Sequence, residues 1–253
     1  IAKPPTPNDD ITFRPTVIVT RGKHQGSGTV IASVPGETLV LTAAHVIEST
    51  EQAYVHVHRY NLALENRRPV EGWPKKIPAK VIARDEAADL AVMRIEGFQA
   101  MPFVARVEGK PGEPPPNTLV ISVGIDHGTN LSSWTTHVID LAWIDMNKGG
   151  GMYPFLLTEN APDFGRSGGG LFKTEGTIVG VCVGRADVIK GKRVGIFTAS
   201  TSIHKFLHEH SLDATVLRSM AYRLKKGRVV ERTKPPASPP APTPPPPKPQ
   251  PSR

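Results

Sequence analysis

From Thr16 onward the chain reads as short apolar runs divided by Gly and Pro turns. "TVIVTRG" (Thr16 to Gly22), "GSGTVIAS" (Gly26 to Ser33) and "ETLVLTAAHVI" (Glu37 to Ile47) are rich in β-branched residues, which suit the pleated, half-buried surface of a strand. "AYVHVHRY" (Ala53 to Tyr60) alternates apolar and polar positions, so one face is expected against a core and the other toward water. "AKVIARD" (Ala79 to Asp85) and "LAVMRIE" (Leu90 to Glu96) continue the pattern. After a break the runs resume with "TLVISVGI", "SSWTTHVIDLAWI", "YPFLLTE", "TIVGVCVG" and "RVGIFTAS". Many short strands at turn-length spacing predict an all-β barrel or sandwich.

The break is "EGKPGEPPPN", too rich in Pro and Gly to continue a strand, and it is the expected link between two antiparallel β halves. After Ser202 the period changes. Ile203, Phe206 and Leu207, then Val216, Leu217 and Met220, fall three and four residues apart, the spacing of one helix face. The expected organisation is a Pro-rich, disordered lead-in over residues 1–10, a first β half over 11–108 and a linker over 109–117. A second β half over 118–202, a C-terminal helical segment over 203–226 and a basic, Pro-rich disordered tail over 227–253 complete it. About half of "KPPASPPAPTPPPPKPQPSR" is proline; such a segment cannot pack a core and populates polyproline II. It is expected to serve as a spacer, with a role as ligand for an SH3-like partner as the other reading.

Charge changes the picture little. The formal net charge of +8 admits nucleic acid, a membrane surface or acidic substrates as partners. The basic residues are spread out, however, and the densest cluster, "YRLKKGRVVERTK" (Tyr222 to Lys234), reads as a solvated basic face. No nucleic-acid role is expected, and no stretch is apolar enough for membrane insertion as a helix. The single cysteine, Cys182, sits in an apolar run; it excludes an intramolecular disulfide and is expected to be buried and inert. The chain opens at Ile1, as a processed or trimmed product would, and no signal peptide is visible.

Three positions carry candidate chemistry. Amide hydrolysis by a serine needs a base for its proton, an acid to hold that base, and backbone donors for the oxyanion. In "DFGRSGGGLF" (Asp163 to Phe172) the candidate nucleophile is Ser167, and the N–H groups of Gly165 and Ser167 are candidate oxyanion donors. In "LTAAHVI" the candidate base is His45, placed after an apolar strand among small residues that leave its ring accessible. In "EAADLAVMRIE" the candidate acid is Asp89, just ahead of a strongly apolar strand. Each alone has an ordinary structural reading: a Gly-rich turn, a satisfied histidine, a turn aspartate.

Taken in order, "GSGTVI", "LTAAHV", "DLAVMRI" and "GRSGGGLF" resemble the trypsin-like serine proteases, and most closely their disulfide-free bacterial, HtrA-type branch. The resemblance spans Thr16 to about Phe206. It implies two six-stranded antiparallel β-barrels of chymotrypsin type, with His45 and Asp89 from the first and Ser167 from the second meeting in the cleft. It further implies peptide or unfolded-protein substrates, no cofactor and no metal, and an extracytoplasmic (periplasmic or secreted) location. The specificity pocket would be lined by Cys182, Val183 and Gly184 on one side and Gly195 to Phe197 on the other, with Ala161 at its floor. No acidic residue falls there, so cleavage after small or medium apolar residues is expected.

Three departures from the family pattern matter. Arg166 stands where Asp or Asn usually precedes the serine, which speaks against activation by an inserted N-terminus. Gly170 stands where proline is common. No PDZ-like segment follows in the sequence given. Arg166 also keeps a rival open, a catalytically silent peptide-binding module on the same fold, and "APDFGRSGGG" could be a loop that orders only on activation. The pairs His56/His58 and His204/His208, with His210 nearby, have spacings that suit a metal, but no further ligands accompany them, and they are expected to be ordinary exposed or capping histidines.

Overall fold

The short strands close into two barrels because nearly every one is apolar on the side that faces a neighbour. The structure, a computed structural model, describes residues 9–48, 50–64, 70–107, 112–127, 130–146, 149–189 and 191–225. The expected tail over 227–253 and most of the lead-in lie outside the described residues, as does part of the linker.

The first barrel contains β1 (Thr16–Arg21), β2 (His24–Val34), β3 (Glu37–Thr42), β4 (Ala53–Val57), β5 (Lys75–Asp85) and β6 (Leu90–Glu96). They close in the antiparallel order β1-β2-β3-β6-β5-β4. The second contains β8 (Leu119–Asp126), β9 (Asn130–Ile144), β10 (Tyr153–Thr158), β11 (Gly170–Lys173), β12 (Thr177–Ile189) and β13 (Lys192–Ala199). Their order is β11-β8-β9-β10-β13-β12, closed by pairing of β11 with β12, while the short β7 (Arg106–Val107) runs parallel to β12 outside the ring.

β3 and β6 read as unbroken apolar runs because both of their faces are buried. Val40, Met93 and Ile95 point into the first barrel with Val17, Val30 and Val55. Leu39, Leu41, Leu90 and Val92 point outward, yet join a second cluster with Phe172, Ile178 and Val181 of the other barrel. The interior of the second barrel is filled by Val120, Leu156, Leu171, Cys182 and Phe197. The two barrels therefore share a core rather than touching through a polar linker.

The helical segment differs from expectation. It is two helices, α2 (Ser200–Glu209) and α3 (Asp213–Lys225), preceded at the other end of the chain by one helical turn, α1 (Asp9–Thr12). Residues 200–202, expected in the second barrel, start α2. The break is a Schellman closure. Ser211 adopts a left-handed conformation with φ 55°, Leu212 N–H donates to the Leu207 carbonyl at 2.8 Å, and Ser211 N–H donates to His208 at 2.9 Å. Leu207 and Leu212 then bury together in the shared cluster with Ile203, Phe206 and Val216. Periodicity alone runs through this break, because serine is not the residue that usually marks it.

α3 is fixed to the first barrel. The Ser33 N–H donates to Ser219 Oγ at 2.8 Å, and that hydroxyl donates to the Ser33 carbonyl at 3.1 Å. Arg218 pairs with Glu37, and Arg223 donates to the Pro102 carbonyl at 2.7 Å. Ser219→Ala leaves a buried N–H and C=O without partners and should cost about 1–3 kcal/mol, read as a lower urea midpoint.

Of the histidines, His56 hydrogen-bonds Thr20 Oγ1 at 2.9 Å and His58 stacks on Tyr60 at 5.0 Å between ring centres. His208 pairs with Asp213 at 3.1 Å and His210 meets the Phe206 ring edge-on. Among the described residues no three His, Cys, Asp or Glu side chains gather closely enough to hold a metal ion. Burial, reinforced by His56, pushes the His58 pKa down to about 4. Above its ordinary value both folded and unfolded chains hold this group neutral. Below it the unfolded chain takes up a proton that the folded chain refuses until about pH 4, so this contribution to stability falls across that window. His58→Gln should flatten the pH dependence of the urea midpoint between pH 6.5 and 4.

Candidate active site

β3 delivers His45 to the cleft. Ala43 is still extended, and a single 3-10 turn over Ala44–Ile47 buries Ala44, Val46 and Ile47, leaving the His45 side chain 40% exposed. Asp89 arrives from the tight turn between β5 and β6. Asp85 builds that turn by accepting the N–H groups of Ala87 at 2.9 Å and Ala88 at 3.0 Å. Across the cleft, Thr198 Oγ1 of the second barrel donates to the Ala88 carbonyl at 2.6 Å. Asp89 itself is held at φ 52°, a left-handed conformation unusual for a non-glycine residue outside a constrained site.

Asp89 is buried and grips His45 with both oxygens. Oδ2 accepts from Nδ1 at 2.7 Å and Oδ1 accepts from the His45 backbone N–H at 2.9 Å. An ionised carboxylate can only accept, so the ring proton lies on Nδ1 and Nε2 is left as the free base. Burial pulls the His45 pKa down, but the Asp89 hydrogen bond, the Asp89 charge and the Glu48 charge together outweigh it, and the net shift is upward.

Ser167 lies in a loop whose main chain is tied on both sides. Asp163–Arg166 is a turn closed by Arg166 N–H to the Asp163 carbonyl at 3.3 Å, with Gly165 at φ 93°, where a side chain would be strained. The Phe164 carbonyl accepts from His127 N–H at 2.8 Å, and the Arg166 carbonyl accepts from Gly169 N–H at 2.8 Å. In a trans peptide the N–H points opposite to the C=O. These two bonds therefore turn the N–H groups of Gly165 and Ser167 the other way, and neither has an acceptor among the described residues.

The first barrel holds this loop through Ser27. Its N–H donates to the Ser167 carbonyl at 2.7 Å and its Oγ donates to the Gly165 carbonyl at 2.9 Å. Ile125 N–H donates to the same Oγ at 2.8 Å, and Thr42 Oγ1 donates to the Ser27 carbonyl at 2.7 Å. Gly168, at φ 83°, lies so close to this strand that a Cβ would stand 2.2 Å from the Ser27 carbonyl and 2.3 Å from Thr42 Oγ1.

The Ser167 hydroxyl donates to the Val183 carbonyl at 3.2 Å. The β12–β13 register shifts between Cys182 and Gly184, and the bulge at Val183 frees that carbonyl from the ladder. Val183 also lines a cleft of about 330 Å³ with His45, Asp89, Glu48, Glu86 and Met146. Val183 thus borders both the Ser167 hydroxyl and the cleft that holds His45.

Of the residues expected at the specificity pocket, Ala161, Val183 and Gly184 are partly exposed, and Gly195 packs against Thr158 and Asn160. Cys182 and Phe197 do not reach the cleft. Both side chains are fully buried inside the second barrel, where alternation along β12 and β13 directs them. Burial pushes the Cys182 thiol pKa up to about 12, so the thiol stays protonated. Arg166 points away from the cleft and is completely buried. Ser27, Thr42, Asp126, His127 and Thr198 were not singled out by sequence reasoning. Ser27 had a faint signal, a serine between two glycines; the others had none.

The family model described as "Trypsin-like peptidase domain" matches residues 26–181. The chain belongs to this family. A protein named Do-like 14 from Arabidopsis thaliana is 25% identical over 79% of this chain and 44% of its own length. A protein of Hahella chejuensis named "Probable periplasmic serine endoprotease DegP-like" is 29% identical over 62% of this chain and 29% of its own length. The chain thus spans less than half the length of these relatives. The active form of the Rv3671c protease from M. tuberculosis superposes with a TM-score of 0.63 at 18% identity, covering 80% of this chain and 83% of that one. That likeness establishes the fold.

Asp89→Asn removes the Asp89 charge and weakens its hydrogen bond, leaving burial opposed chiefly by Glu48. The His45 imidazole should then titrate at lower pH than in the unmodified protein, measured by NMR of its ring protons.

Proposed function

We propose that this chain is a serine endopeptidase acting through His45, Asp89 and Ser167. The observation that carries the reading is the two-oxygen grip of buried Asp89 on His45, beside a serine whose loop turns two N–H groups outward. The substrate strand lies along β12 at Val183–Arg185, by main-chain pairing. The reaction requires the Ser167 hydroxyl, bonded to Val183 at rest, to turn about its Cα–Cβ bond toward His45 Nε2. Ser167 Oγ attacks the peptide carbonyl as Nε2 takes its proton, and Asp89 stabilises the imidazolium that forms. The N–H groups of Gly165 and Ser167 receive the oxyanion. His45 passes the proton to the leaving amine, and the acyl group remains on Ser167. Water, deprotonated by His45, releases the acid and restores the serine.

Cleavage after small or medium apolar residues is the preference proposed, since none of Ala161, Val183, Gly184 and Gly195 carries an acidic group. Peptide or unfolded-protein substrates and an extracytoplasmic location accord with the names of the DegP-like relatives. No described helix is long and apolar enough to cross a membrane.

Fluorophosphonate should add once to the protein, at Ser167, with no adduct on Ser167→Ala. Against a cleaved peptide, Ser167→Ala should lower kcat by about 10⁶-fold and Asp89→Asn by about 10⁴-fold. An unlabelled Ser167 in protein that still binds peptides would instead favour a silent binding module, the reading suggested by the hydroxyl bonded to Val183.

A further inference from the structure

Arg166 is the largest fully buried side chain among the described residues, and the reaction above does not use it. Its guanidinium makes a two-pronged contact with Asp126 at the end of β8: Nε donates to Oδ1 at 3.0 Å and Nη2 donates to Oδ2 at 2.8 Å. Nη1 donates to Ser122 Oγ at 3.2 Å, and Nη2 donates to Ser132 Oγ, which in turn donates to Asp126. The cation also lies over the Trp134 ring, 4.9 Å from its centre. Room for the stem comes from Gly124, where a Cβ would stand 2.7 Å from Arg166 Cγ. These groups on β8 and β9 form a fitted seat for one side chain.

The backbone of Arg166 sits between the two peptide planes that matter. The plane before Gly165 is set by His127 N–H, the residue after Asp126, and the plane before Ser167 is set by Gly169 N–H. One ion pair thus joins the centre of the loop to the strand end that orients its first donor. A guanidinium fork held by a carboxylate fixes direction as well as distance, which an ammonium does not.

We propose that Arg166 and Asp126 are positioning residues: the ion pair of buried Arg166 with partly exposed Asp126 locks the Phe164–Ser167 loop with the Gly165 and Ser167 N–H groups facing outward, so that the resting site is already assembled. Asp126 supplies from within the domain the counter-charge that this loop needs, with no inserted terminus. The catalytic half of this inference rests on the serine endopeptidase reading; the structural half does not.

The test compares Arg166→Lys with the double variant Arg166→Met/Asp126→Asn, which removes both charges together and so avoids stranding one of them in the core. Amide hydrogen exchange is measured at His127, Gly169 and Gly168, alongside fluorophosphonate labelling rate, kcat and KM. In the folded double variant, exchange at His127 and Gly169 should quicken about tenfold or more, while Gly168 N–H, bonded to the Cys182 carbonyl at 2.7 Å, should not change. Labelling rate and kcat should fall about 10²- to 10³-fold with KM little changed, as for a lost oxyanion donor. The low-field proton resonance of the His45–Asp89 bond should persist. Arg166→Lys should lie between. Unchanged exchange at His127 and Gly169 would overturn the inference, and so would quickened exchange with full labelling and kcat. If the unmodified protein fails to label while exchange quickens in the variant, the endopeptidase reading falls and the lock stands. If the double variant does not fold, Arg166→Lys decides by the same two amides.

Discussion

Everything at the site depends on a main-chain loop of the second barrel being held by a strand of the first. Ser27 makes the contact, with its N–H on the Ser167 carbonyl and its hydroxyl on the Gly165 carbonyl. Two bonds of this kind contribute little net stability, on the order of 1 kcal/mol each. Their effect is geometric: they hold the Gly165 and Ser167 carbonyls, and so the main chain on either side of Arg166, while His127 and Gly169 set the peptides that carry the Gly165 and Ser167 N–H groups. Thr198 repays the contact in reverse, bonding from the second barrel to the turn that presents Asp89. The cleft is therefore defined by reciprocal hydrogen bonds as much as by the shared apolar cluster beneath it.

Two carboxylates, Asp89 buried and Asp126 partly exposed, serve different ends on the two sides of this cleft. Asp89 faces a histidine that would alternate between neutral and charged forms in the proposed reaction, and its oxygens hold the tautomer and orientation of the ring. Asp126 faces a guanidinium that never loses its proton, so that pair can only hold shape. Partners of this kind are not optional, since removing one member of a buried pair typically costs about 3–5 kcal/mol.

The fold was legible because strand length, β-branching and turn residues all pointed the same way. β3 and β6 were readable as continuous apolar runs, although only the structure shows that their outer faces meet the second barrel. β5 begins at Lys75, four residues ahead of the expected "AKVIARD", because lysines and Pro78 obscured it. The helical break at Ser211 was hidden by unbroken periodicity. Among the candidate residues, His45, Asp89 and Ser167 stood out through their neighbours. Pocket residues did not: counting along β12 cannot foresee the bulge at Val183, which decides which side chains and carbonyls turn to the cleft. Arg166 was visible as an oddity, but its partner lay 40 residues away with nothing to connect them.

The attachment of α3 to Ser33 has a consequence for how the molecule comes into being. A ribosome delivers the first barrel early, yet part of the outer face of β2 stays uncovered until the last described helix has emerged. The turn that carries Asp89, the Ser167 loop and the covering helices are made in that order. The candidate residues His45, Asp89 and Ser167 can therefore come together only once the second barrel has been made. The same ordering leaves the growing chain's apolar flank open to chaperones throughout synthesis.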